Sequence, residues 1–180
     1  MHHFKKTEFI VLKRRNLGEA DRIITILSRN YGKLTVIAKG IRRPTSRKKS
    51  HLELFTRSLG QLISGRNLDL ITEAATIEKF DEIRKDLTKT AVAYFYADIT
   101  NKLIQDHQDN PEAYNILLYH LRQLCSNSNL RKSRENFSKQ MLVATGFFPS
   151  TKYIQDPDRK LEQVFEEKIA SIRIGKRLTI

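Results

Sequence analysis

Gly18-Glu19-Ala20-Asp21-Arg22-Ile23 through Ser28, then Tyr31-Gly32-Lys33-Leu34 through Ala38-Lys39-Gly40, is the stretch whose reading decides the fold. Its two apolar runs, Ile23–Leu27 and Leu34–Ala38, are rich in β-branched residues, which suit a pleated, half-buried surface. Gly32 between them can take the positive φ of a tight hairpin turn. Behind the hairpin the chemistry changes. Six cations (Lys39, Arg42, Arg43, Arg47, Lys48, Lys49) fall within eleven residues that contain no acid. Gly40, Pro44 and the hydroxyl residues Thr45, Ser46 and Ser50 mark this run as a loop. Such a loop either meets a polyanion or is a solvated tether.

Working outward, Glu8–Leu12 reads as a strand ending in the cationic edge Lys13-Arg14-Arg15, with a turn hinged at Gly18 before the hairpin. After the loop, Leu52–Arg57 alternates apolar and polar and continues past Gly60 to Ser64, a strand expected to bend at the glycine. Gly65-Arg66-Asn67 is a turn, and Leu68–Ile77 is a last strand. Five short strands with no helix-period segment predict a five-stranded OB-fold barrel over residues 1–80, an SH3-like barrel being the alternative. Near residue 80 the period switches. Val92, Phe95, Tyr96, Ile99 and Leu103 share one helical face. Asn110-Pro111 opens a second helix carrying Ala113, Leu117, Leu121 and Leu124. Phe137, Met141, Ala144 and Phe148 mark a third, ending near Gly146. Asp156-Pro157 starts a fourth, with Leu161, Phe165, Ile169 and Ile172 on one stripe. The fold class is therefore α+β, a β-barrel followed by an α-helical bundle over residues 81–180.

Charge narrows the function. Residues 1–80 hold 17 Lys and Arg against 7 Asp and Glu, whereas residues 81–180 hold 16 against 13. An excess confined to one module favours nucleic acid over general solubility. No apolar run approaches the roughly 20 residues that cross a bilayer, and no basic amphipathic helix offers itself to a membrane surface. The single cysteine, Cys125, excludes an internal disulfide and a multi-cysteine zinc site, and the simplest setting is reducing and cytoplasmic. The five histidines show no metal-ligand spacing. A phosphate-binding Walker loop, a nucleophile elbow and a dinucleotide fingerprint are all missing, so no catalytic residue, metal or cofactor is expected. Asp98, Asp106, His107 and Asp109 could suggest a metal-dependent nuclease, but they read as a helix's polar face and a solvated connection.

The Gly18-Glu19-x-Asp21-Arg22-Ile23 turn, Tyr31-Gly32-Lys33 and Ala38-Lys39-Gly40-Ile41-Arg42 resemble the bacterial recombination-mediator family RecO. Glu135–Pro149, with Phe137, Met141-Leu142 and Gly146-Phe147-x-Pro149, is similar to that family's helix and its closing turn. The resemblance implies an OB-fold, a helical domain and no catalytic site. It also implies binding of single- and double-stranded DNA, annealing of complementary strands, and work with RecR and single-strand-binding protein to load RecA. Many members carry a four-cysteine zinc module after the Gly-aromatic-x-Pro turn. Here Ser150-Thr151-Lys152-Tyr153 follows, and the expectation is that the module is deleted and the chain passes to a closing helix over Leu161–Leu178.

Candidate contacts follow from chemistry. Arg42 and Arg43 can grip phosphates bidentately, while Lys48 and Lys49 act as mobile point charges, and Lys39 and Arg47 complete the basic loop. Lys13, Arg14, Arg15, Lys33, Arg57 and Arg66 stand at strand ends and turns that border an OB-barrel's usual binding face. Tyr31 is open enough at its turn to stack a base, and Phe55 reads as core. The family resemblance implies a groove for the acidic, aromatic-tipped tail of single-strand-binding protein; Arg131, Lys132 and Lys139 around Phe137 have that character, although solvated cations around a core phenylalanine explain them as well. An RNA-binding OB-fold chaperone is the rival reading.

Overall fold

The structure, a computed structural model, describes residues 4–126 and 128–165. The expectations for His2, His3, Ile169, Ile172 and the closing run to Leu178 lie outside those residues. The chain divides into two compact units. The first runs to Lys79 and takes in Gln105–Pro111; the second holds Phe80–Ile104 and the described residues from Glu112 onward.

The first unit is a closed five-stranded barrel: β1 (Phe4–Leu17), β2 (Asp21–Ser28), β3 (Gly32–Ala38), β4 (Arg57–Ile63) and β5 (Asp69–Glu78), ordered β1-β2-β3-β5-β4. Only β3 and β5 run parallel, joined at Val36–Asp69 and Ile37–Leu70; the other pairs are antiparallel. This is the OB-type arrangement. Alternation fills the barrel: Phe9, Val11, Ile24, Ile26, Leu34, Val36, Leu62 and Ile71 are buried and point inward. Each such side chain contributes about 1.5–3 kcal/mol by leaving water. Strand β1 is long enough to serve two neighbours. Its first half pairs with β4 (Phe4–Ile63 to Ile10–Arg57) and its second with β2.

Two segments differ from the sequence reading. Leu52–Arg57 is not a strand; β4 begins only at Arg57. Its buried apolar residues, Leu52 and Phe55, are three apart, which is turn spacing, and Phe55 takes φ 65°. Leu52, Phe55 and Ile41 are all buried, and the Phe55 N–H donates to the Val11 carbonyl at 2.9 Å. The basic run is consequently an ordered cap on the barrel rather than a tether. Gly60, expected to bend its strand, sits in uninterrupted β4, where a Cβ would collide with the Phe9 ring. The sheet bends instead at bulges that leave Thr72 and Ile77 of β5 unpaired in the β4 register.

The second unit comprises α1 (Asp81–Lys85), α2 (Leu87–Leu103), α3 (Pro111–Ser126), α4 (Leu130–Ala144) and α5 (Pro157–Phe165). The helical stripe expected on α2 is buried throughout. Asp86 caps α2 by accepting from the backbone N–H groups of Thr88 and Lys89, and the Lys89 N–H above all holds its carboxyl below the ordinary range. Proline stands at the first position of α3 and α5, as expected from a ring whose missing N–H costs nothing there.

His120 lies in this core. Its Nε2–H donates to Gln140 Oε1 at 3.0 Å, and its ring meets Tyr96, Tyr119 and Phe137 edge-to-face. Burial lowers its pKa below 6.5, with the Gln140 hydrogen bond opposing. The folded state thus binds fewer protons than the unfolded one below pH 6.5, so stability present above that pH is lost as pH falls through the lowered value. Melting should show the helical unit less stable at about pH 5 than at about pH 7.5, and His120→Gln should flatten that difference. An equal pH slope in both proteins would remove His120 as the cause.

Candidate nucleic-acid interface

The bulge in β1 between Val11 and Lys13 decides which cations face outward. Phe9 and Val11 point into the barrel, and strict alternation would send Lys13 and Arg15 inward as well. The extra residue at Leu12 reverses the phase. Lys13 then pairs across to Thr25 and Thr35, and Arg15 to Ile23 and Ile37, on the outer face of β1–β2–β3. Arg14 takes the other side and is neutralised by Glu53 at 2.7 Å. Along β3 the outward series continues Thr35, Ile37, Lys39.

The cap begins next to this face. Arg22 of β2 pairs with Ala38, which brings the β1–β2 turn beside the exit of β3. There Asp21 Oδ1 accepts from the Gly40 N–H (2.7 Å), Ala20 O from the Arg42 N–H (2.9 Å), and Gly18 O from Arg42 Nη1 (2.9 Å). Asp21 and the β1–β2 turn therefore clamp the start of the basic run. Arg43 lies over Gly40 and stays exposed. Five cations, Lys13, Arg15, Lys39, Arg42 and Arg43, are thus brought to one end of the β2–β3 face. Arg66 stands on the β4–β5 turn, which flanks the same face across the β3–β5 pairing. Among the described residues none of these six has a carboxylate within ion-pair distance.

The other candidates divide. Lys33 is tied to Asp106 at 3.2 Å, and Arg57 to Glu8 (2.6 Å) and Glu78 (3.4 Å), so their charge is met inside the protein. Arg47 and Lys49 belong to the cap and are both exposed. Lys48 donates to the Ile71 carbonyl at 3.1 Å; burial lowers its pKa, with Asp21 opposing. Tyr31 is exposed at the β2–β3 hairpin, beneath Lys5. The hairpin closes at Ser28–Gly32, at the far end of β3 from Ala38, roughly 20 Å from the cationic end at strand rise. Tyr31 therefore does not join that cluster. Phe55 is core, as expected, although not in a strand.

The expected partner-tail groove does not assemble. Phe137 is 0% exposed, and Arg131 pairs with Glu135 at 3.2 Å; Lys132 is exposed in the first turn of α4. Lys139 instead lies over Tyr153 and, with Lys152, Ile116, Val143 and Ile154, lines a groove of about 390 Å³. Lys152 and Tyr153 fall after the recognised turn, outside any helical period, which is why sequence reasoning missed them. It also missed Lys6, which stands on β1 opposite Gln61.

The acidic residues that suggested a nuclease are dispersed: Asp98 pairs with Lys102, and Asp106 with Lys33. Among the described residues no three His, Cys, Asp or Glu side chains converge as metal ligands, and no helix is long and apolar enough to cross a membrane.

Comparison with known proteins bears on the same two units. Residues 1–80 match the family model for the recombination protein O N terminus, and residues 84–153 that for its C terminus. The chain is 35% identical over 144 residues to the DNA repair protein RecO of Roseiflexus sp. (strain RS-1), covering 80% of this chain and 50% of that protein. It is 36% identical over 144 residues to that of Desulforudis audaxviator (80% and 57%) and 30% over 160 residues to one from Dehalococcoides mccartyi (89% and 63%). It thus spans between half and about three-fifths of the length of these relatives. With both family models matched in order, over the barrel and then the helices, the chain belongs to the RecO family.

Proposed function

We propose that this chain is a DNA repair protein that binds single- and double-stranded DNA through the phosphate backbone, without sequence preference, and anneals complementary strands. The observation that carries the reading is the convergence of Lys13, Arg15, Lys39, Arg42 and Arg43 on one end of the β2–β3 face, each without an acidic partner among the described residues. Cations left uncompensated on a clamped frame are free to replace the counterions of a polyanion without an ordering cost in the loop. The scarcity of exposed aromatics near them favours backbone contact over base stacking, as annealing requires: the bases stay available to a second strand. The names of the relatives support the repair assignment. By the same family likeness, RecR and single-strand-binding protein are its partners and RecA the recombinase served, with the Lys139–Lys152–Tyr153 groove the place whose charge and apolar floor suit an acidic, aromatic-tipped tail. No catalytic step is assigned to it.

Salt titration tests this. Each phosphate contact on a single strand contributes about −0.7 to the slope of log affinity against log salt. Arg15→Ala/Lys39→Ala/Arg43→Ala should flatten the slope by about 2 and weaken single-strand binding at about 0.1 M salt by at least roughly tenfold. An unchanged titration would remove this face from the site, and a stronger preference for matched RNA than for DNA would favour an RNA chaperone.

A further inference from the structure

A second cationic concavity lies on the other wall of the barrel. Lys6, Gln61 and Glu73 form one cross-strand row on β1–β4–β5, and Leu59 pairs with Ala75 nearby. Gly60, Ala74 and Ala75 leave a shallow floor, and the cap residues Arg47, Lys48 and His51 form the opposite side of a groove of about 620 Å³. The cap is fastened here from both sides. His51 Nδ1 accepts from the Thr76 N–H at 3.2 Å, Ser58 Oγ donates to the His51 carbonyl at 2.6 Å, and Lys48 holds the Ile71 carbonyl. Arg47 is therefore presented from a fixed backbone, with Lys6 exposed across from it. Among the lining residues, three cations face a single carboxylate, Glu73. The same cap carries Arg42 and Arg43 at its start and Arg47 to Lys49 further on, so a basic ridge links the β2–β3 face to this groove.

We propose that a bound single strand does not end at the β2–β3 face but continues over the cap into the β1–β4–β5 groove, where Lys6 and Arg47 take phosphates. This inference rests on the DNA-binding reading above and adds to it a bipartite site. Glu73 sets a limit on affinity, because its carboxylate stands in the path of the phosphates. The small floor admits a sugar-phosphate chain lying against the sheet, and with no Phe, Tyr or Trp in the lining and the His51 ring engaged with Thr76, bases are left outward.

Length-dependent binding separates the two halves. An oligonucleotide of about 6 nucleotides occupies one OB face, and one of about 20 reaches both regions. At about 0.1 M salt, Lys6→Ala/Arg47→Ala should weaken the longer oligonucleotide about 10- to 30-fold and leave the shorter one within about twofold of the unaltered protein. Glu73→Gln should tighten the longer one several-fold and not the shorter, an increase that mere damage to the fold would not produce. If the double variant binds both lengths normally while Arg15→Ala/Lys39→Ala/Arg43→Ala binds poorly, the groove is not part of the path and the first reading stands. Equal weakening of both lengths would make the groove the primary site and overturn the proposal. No effect from either set of variants would defeat both readings.

Discussion

Replacing Asp158 with alanine is expected to destabilise the helical unit by about 3–5 kcal/mol, the cost of stranding a buried arginine without its counter-charge. Arg134 of α4 and Asp158 of α5 meet in a fork, Nη1 to Oδ1 at 3.0 Å and Nη2 to Oδ2 at 2.6 Å. Their side chains are only 4% and 7% exposed. The guanidinium also lies 5.0 Å from the Phe95 ring centroid, so α2 closes the third side. Water cannot replace the carboxylate in that setting, and Arg134 cannot shed its proton. The pair is not a net source of stability in itself, because two charges had to leave water to form it. Hence Arg134→Met/Asp158→Leu should recover most of the loss. Urea denaturation followed by circular dichroism distinguishes the outcomes. A single variant within about 1 kcal/mol of the unaltered protein would show that α5 docks by its apolar stripe, chiefly Leu161, and not by the fork.

How far the sequence discloses this architecture depends on the range of the interaction involved. The β2–β3 hairpin, the α2 stripe and the proline-led helices are written in local spacing, and the structure places each where the pattern puts it. Leu52–Arg57 shows the limit. Its alternation is that of a strand, yet Leu52 and Phe55 are drawn into the open end of a barrel that the segment itself does not encode. The cation cluster has the same character. Lys13 and Arg15 are visible as basic residues at a strand's end, but their outward aim comes from a bulge defined only by pairing with β2. Arg57 and Lys33 look no different from them in sequence. They are set apart by Glu8, Glu78 and Asp106, acids far along the chain. Charge content is thus legible residue by residue, while charge that remains uncompensated is a property of the folded pairings.

The second large effect is expected at Gly32. The residue has φ 65°, and a Cβ there would overlap the backbone carbonyl of Gln108 in the segment Gln105–Pro111. That segment is bound to β3 by the His107 N–H on the Lys33 carbonyl (2.9 Å) and by the Lys33–Asp106 ion pair (3.2 Å). Gly18 supplies the comparison, since it too has positive φ (55°), but a Cβ added to it would meet nothing within 4 Å. Gly18→Ala should then cost only the left-handed strain of an L-residue, about 1–2 kcal/mol. Gly32→Ala should cost that strain and, in addition, displace the segment, losing a backbone hydrogen bond worth about 0.5–1.5 kcal/mol and an ion pair worth up to about 1 kcal/mol. A total of about 2–4 kcal/mol follows, with faster amide exchange at His107 as its local signature. Because Gly32 lies at the opposite end of β3 from Lys39, the protein that remains folded should bind single-stranded DNA with unaltered salt dependence. Equal costs at Gly18 and Gly32 would mean that Gln105–Pro111 yields freely, and that the glycine at 32 serves the hairpin turn alone.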